Sequence, residues 1–174
     1  MKSAKYQFHT PSRLLFGEGC SNDVGKWMKE LGADRVLLVT DEGVEKAGLV
    51  EGIKKALADE GCKVLVFSGV NENPTVENVH AGRDLIKKEN ISGLVAVGGG
   101  SPIDASKAMA ILAAHEGSIV EYELGLKPFT RRGVPLIAIP TTAGTGSETT
   151  KGAVITDLET HRKIDDIAEC FQGF

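Results

Sequence analysis

Four short apolar runs carry no polar alternation: "VLLV" at 36–39, "VLVF" at 64–67, "LVAV" at 94–97 and "LIAI" at 136–139. A strand with one face in water alternates, so unbroken runs of this length belong to strands covered on both faces, as in a parallel sheet. The stretches between them have helical period. Leu49, Ile53 and Leu57 recur at four-residue steps, and Val76, Val79, Arg83 and Ile86 follow a similar stripe. Strand and helix alternating through short Gly- and Asn-containing joints predict an α/β fold, a Rossmann-like, doubly wound, mainly parallel sheet with right-handed crossovers. Ahead of it, "KYQFHTPSRLLFGEGCSND" predicts two short strands around Pro11 and then a helix capped by Ser21 or Asn22. Gly17 and Gly19 form a bare GxG without a full fingerprint, which reads as a strand-to-helix turn. With no internal repeat or low-complexity linker, residues 1–164 read as one domain and 165–174, "DDIAECFQGF", as a divergent tail.

Composition narrows the partners. A net charge of −4 and the lack of any lysine and arginine run argue against nucleic acid or an anionic membrane surface. No stretch approaches a membrane span and the start has no apolar signal region, so a cytoplasmic location is expected. Cys20, Cys62 and Cys170 are widely spaced and odd in number, which fits reduced structural thiols. The histidines, at 9, 80, 115 and 161, never fall at helical spacing, so no metal site is expected locally.

Three loops carry the candidate chemistry. In "LVAVGGGSPIDASKAMA", Gly98, Gly99 and Gly100 end a strand, Ser101 stands where a helix cap belongs and Pro102 at the first helical position. Glycine inside an element costs about 0.5–1 kcal/mol against alanine, so three in succession need a backbone reason. A helix start without β-carbons offers free N–H groups and a positive dipole end to a pyrophosphate; a tight structural turn is the alternative. Asp104 and Lys107 share a helical face, as an ion pair or as ligand contacts. The second loop, "PTTAGTGSETT" at 140–150, concentrates six Ser and Thr residues in eleven positions, apt for phosphates and ribose. Both loops follow strand ends, where open α/β sheets bind ligands. In the third, "VLLVTDEGV", Asp41 lies two residues past a strand, as a ribose acceptor or as a turn and helix-cap aspartate.

With "RLLFGEG", "VTDEGV", "ENPTVENV", "VGGGSPIDASKA" and "PTTAGTGSE" in order over residues 6–163, the sequence resembles the iron-dependent (group III) alcohol dehydrogenases. The resemblance implies a Rossmann-like NAD(P) domain followed by a helical metal-binding domain. It implies that Asp41 meets the adenosine ribose, Asn73 lies near the nucleotide, and Gly99, Gly100 and Ser101 cradle the pyrophosphate. Asp104 would lie toward the nicotinamide, Thr141, Thr142 and Thr145 would line the cleft, and Lys163 would contact a ribose. Gly152 stands where many members have a polar residue. The family's metal ligands, one aspartate and three histidines, belong to the helical domain, so Fe(II) or Zn(II) is expected in the full-length family and not in this chain. The implied chemistry is hydride transfer between NAD and a short-chain primary alcohol or aldehyde, weak or absent in a truncated form; a stand-alone nucleotide-binding module is the other reading. An apolar face left by a missing domain predicts a homo-oligomer.

Overall fold

The computed structural model describes residues 13–164; the expected strands around Pro11 fall largely outside that range, and the 165–174 tail wholly so. In chain order the elements are α1 (Val24–Glu30), β1 (Arg35–Val39), α2 (Glu42–Lys46), α3 (Leu49–Asp59), β2 (Lys63–Phe67), α4 (Val76–Lys88), β3 (Gly93–Gly98), α5 (Gly100–Ala113), β4 (Leu136–Pro140), β5 (Ile155–Asp157) and β6 (Arg162–Ile164). All four apolar runs are strands. They form one parallel sheet in the order β2-β1-β3-β4, while β5 and β6 make a separate antiparallel hairpin.

Alternate side chains of the central strands enter two cores. Val36 and Leu38 of β1 and Val95 and Val97 of β3 pack with Val24, Met28, Val50, Ile53 and Leu57 of α1 and α3. Leu37 and Val39 of β1, with Leu94 of β3, pack with α4 and α5 through residues such as Val79, Ile86, Ala108 and Met109. Burial on both faces is why these runs show no alternation. The edge strands are less covered: Leu65 of β2 is 37% exposed. The sheet changes direction between β1 and β3, because α3 leads outward to β2 and α4 returns across β1 to β3. A cleft at their carboxyl ends is the geometric consequence.

Three local expectations are corrected. The buried stripe of α3 is Val50, Ile53 and Leu57; Leu49 is its first residue and is exposed, because the helix starts there after Gly48 in the left-handed region. Neither Ser21 nor Asn22 caps α1: both lie inside a 3₁₀ turn, Cys20–Asp23, that runs directly into it. Helix α5 begins at Gly100, with Gly99 as its extended cap residue, so Ser101 and Pro102 sit within the first turn. Proline is tolerated there because the first four helical N–H groups have no intrahelical partner.

Candidate active site: a cleft at the sheet's carboxyl edge

The glycine run splits into two roles. Gly98 has φ +149°, and a β-carbon on it would lie 2.7 Å from Pro102 Cγ, so both backbone and packing require glycine. Gly99 and Gly100 instead face the hydroxyl loop: β-carbons there would come within 3.3 Å of Thr142 Oγ1 and 3.2 Å of Ser147 Oγ respectively. Their N–H groups open a helix of 14 residues, which concentrates positive dipole at backbone that carries no side chain of its own.

Backbone bonds tie the other loops to this one. The Thr141 N–H donates to Gly98 O at 2.9 Å, Thr40 N–H donates to Phe67 O at 2.9 Å, and the buried Thr40 hydroxyl donates to Val97 O at 2.8 Å. Four strand ends are thereby held together. Between them lies a cleft of about 540 Å³ whose walls include Asp41, Gly99, Gly100, Ser101, Thr141 and Thr142. A second cavity of about 610 Å³ takes in Asn73 and Lys163, with Asn71 and Glu72 shared between the two. Thr145 stands beside Gly100 and donates its hydroxyl to Glu148 at 3.3 Å.

Asp41 combines both of its sequence readings. One oxygen accepts the Val44 N–H at 2.9 Å and caps α2; the carboxylate also lines the cleft. Asp104 is placed differently from the glycine loop it follows. It is buried, accepts from Lys107 Nζ at 3.4 Å and from the Val154 N–H at 3.1 Å, and is absent from the walls of both cavities. Lys107 also donates to Gly152 O at 2.7 Å and Thr150 Oγ1 at 3.4 Å. Burial pulls the Lys107 ammonium's proton affinity below its ordinary value, and the Asp104 charge offsets only part of this.

The loop after β2 is the part that local reading missed beyond Asn73. Ser68, Gly69, Val70, Asn71 and Glu72 all line the cleft, and the Ser101 hydroxyl donates to the Glu72 carbonyl. The available signal was positional: in a parallel sheet every strand end faces the same edge. Among the described residues no three His, Cys, Asp or Glu side chains converge to hold a metal ion, and no described helix is long and apolar enough to cross a membrane.

Comparisons with known proteins fit this architecture. Residues 11–171 match the iron-containing alcohol dehydrogenase family. The chain is 46% identical to a choline dehydrogenase of Bacillus subtilis over 164 residues, 91% of this chain and 41% of that protein. It is 40% identical to an NAD-dependent methanol dehydrogenase of Bacillus methanolicus, over 93% of this chain and 42% of that protein. A solved sulfoacetaldehyde reductase from Bifidobacterium kashiwanohense, in complex with NAD+, superposes with a TM-score of 0.89 at 30% identity, over 98% of this chain and 45% of that one. The chain thus spans about two fifths of the length of these curated relatives. Sequence match, sheet order and cleft position together show that the chain belongs to the iron-containing alcohol dehydrogenase family.

Proposed function

We propose that the cleft binds NAD, and that the chain is the nucleotide-binding part of a metal-dependent dehydrogenase acting on a short-chain primary alcohol or aldehyde. The observation that carries this is the bare helix start at Gly99 and Gly100, opposite Thr142 and Ser147 and beside the Asp41 carboxylate. The bare backbone there suits a pyrophosphate, which accepts hydrogen bonds from the helix N–H groups, that of Ser101 among them, and from the hydroxyls of Thr141 and Thr142. Asp41 accepts hydrogen bonds from the adenosine ribose hydroxyls with the oxygen its cap leaves free, and its charge disfavours a 2′-phosphate. Asn73 and Lys163, across the second cavity, suit the other ribose, and Thr145 borders the phosphates. Asp104 acts behind the site by anchoring the segment that follows the hydroxyl loop, at Val154. NAD supplies the hydride acceptor; these residues orient it and hold its charge. The described residues do not fit a catalytic metal.

Calorimetric titration of NAD into the chain and into Gly100→Val tests the reading. Saturable binding by the parent and its loss in a variant with unchanged circular dichroism is expected, since a valine side chain would cover the bare helix start and press on Ser147 and Thr145. Equal affinity in a folded variant would refute it. Turnover of a primary alcohol with added Fe(II) or Zn(II) separates a catalytic chain from a binding module.

A further inference from the structure

Asn78, in the first turn of α4, makes more bonds than a helix start requires. Its Oδ1 accepts the Thr75 N–H at 3.1 Å, while its own N–H donates to Thr75 Oγ1 at 3.3 Å, a reciprocal cap. The same Oδ1 accepts the Asn71 N–H at 3.2 Å, and Nδ2 donates to the Gly69 carbonyl at 2.9 Å. Those two bonds add nothing to the cap. They close a loop of seven residues, 69–75, onto a helix whose position is fixed by the buried Val76, Val79 and Ile86.

The amide's orientation is determined by its partners. Two N–H donors require the oxygen on one side, and a carbonyl requires the nitrogen on the other. The loop it holds supplies Asn71 and Glu72 to the wall shared by the two cavities, and on its far side the Glu72 carbonyl takes the Ser101 hydroxyl of the glycine loop. Asn71 and Glu72 are therefore suspended between α4 and the first turn of α5.

We propose that Asn78 is a positioning residue for the dinucleotide site: its carboxamide, linked to Gly69, Asn71 and Thr75, sets the wall against which the cofactor lies. Asn78 lines neither cavity and acts only through the loop. The proposal rests on the NAD reading above, so its test has one arm that needs no ligand.

In the whole chain, Asn78→Asp keeps both acceptor bonds, and with them the cap, but turns a carboxylate oxygen toward the Gly69 carbonyl. Asn78→Ser is neutral and too short to reach Gly69 or Asn71, so it removes both loop bonds without adding charge. Amide hydrogen exchange without ligand should quicken at Asn71 in the serine variant by about tenfold or more, with α4 amides from Val79 to Ile86 unchanged. The dissociation constant for NAD should rise by about tenfold in both variants, with a melting temperature close to the parent's for Asn78→Asp. A cap-only role predicts parental NAD affinity in Asn78→Asp, and that result would overturn the proposal, as would unchanged exchange at Asn71 in Asn78→Ser. If the parent itself fails to bind NAD while the exchange result stands, the cofactor reading falls and the positioning role falls with it, leaving a loop tether alone.

Discussion

The Lys107 ammonium lies 2.7 Å from the carbonyl oxygen of Gly152, joining the helix that starts in the glycine loop to the segment just after the hydroxyl loop. Both side chains of the Asp104–Lys107 pair are nearly inaccessible, at 13% and 6% exposure, and each bonds the 150–154 segment separately. Removing one partner of a buried pair strands the other charge. Lys107→Met should therefore cost about 3 kcal/mol in chemical denaturation. The double variant Asp104→Asn with Lys107→Met should be more stable than Lys107→Met alone, because the stranded carboxylate is gone.

Asp41 both caps α2 and faces the cleft, and two substitutions separate these duties. Asn also caps, so Asp41→Asn should keep stability while narrowing the preference for NAD over NADP. Asp41→Ala should narrow it equally and also lose about 1 kcal/mol. Titrations of both dinucleotides at one fixed salt concentration, paired with denaturant melts, check both parts.

Helices α1 and α3 meet at Gly25, where a β-carbon would stand 2.4 Å from the backbone oxygen of Ala56. Backbone cannot move aside as a flexible side chain can. Gly25→Ala should destabilise the chain by about 2–3 kcal/mol, read from the denaturation midpoint, with no direct effect on the distant cleft.

His115 is buried, with Nδ1 2.8 Å from Ile111 O and Nε2 accepting the N–H groups of Thr130 at 2.9 Å and Arg131 at 3.2 Å. It also packs edge-on against Tyr122 and Phe129. This one ring organises the connection from α5 to β4. His115→Ala leaves two backbone donors without their acceptor and should cost about 2–4 kcal/mol, measured by urea denaturation.

Burial and the neighbouring Arg83 hold the His80 imidazole's proton affinity below its ordinary value of 6.5, against the weaker pull of Asp84 and Glu77. Its Nε2 lies 3.2 Å from the Ser118 hydroxyl. Between the lowered folded value and 6.5 the unfolded chain binds more protons, so stability rises with pH across that window. Below the folded value the penalty is constant. His80→Gln should flatten the rise in a series of melts just below pH 6.5, by well under 1 kcal/mol given the partial exposure.

Much of the frame was legible because it is written in local pattern. Each of the four apolar runs is a strand, and lack of alternation predicts burial on both faces correctly for the central β1 and β3 but not for the partly exposed edge strands β2 and β4. Helix α5 starts two residues before the Ser101–Pro102 pair that the sequence suggests, because glycines read as loop whereas Gly99 supplies the extended cap and Gly100 already turns. Leu49 falls off the α3 stripe for a similar reason: a four-residue step matched it, but the helix begins there and turns it to solvent. What local pattern could not show are side chains whose partners are backbone atoms of other segments. Thr40 reaches Val97, Lys107 reaches Gly152, and His115 reaches Thr130; nothing in the spacing of those residues encodes the pairing.

In the proposed complex a dinucleotide lies across the carboxyl edge of β1 and β3. Its most direct test is an NAD titration of the isotopically labelled chain followed by amide chemical shifts. Saturable shifts concentrated at Asp41, Asn71, Gly99, Gly100, Thr141 and Thr142 are predicted. No saturable shift, or one mapping to the opposite edge of the sheet around Arg35, Ser92 and Gly93, would contradict it.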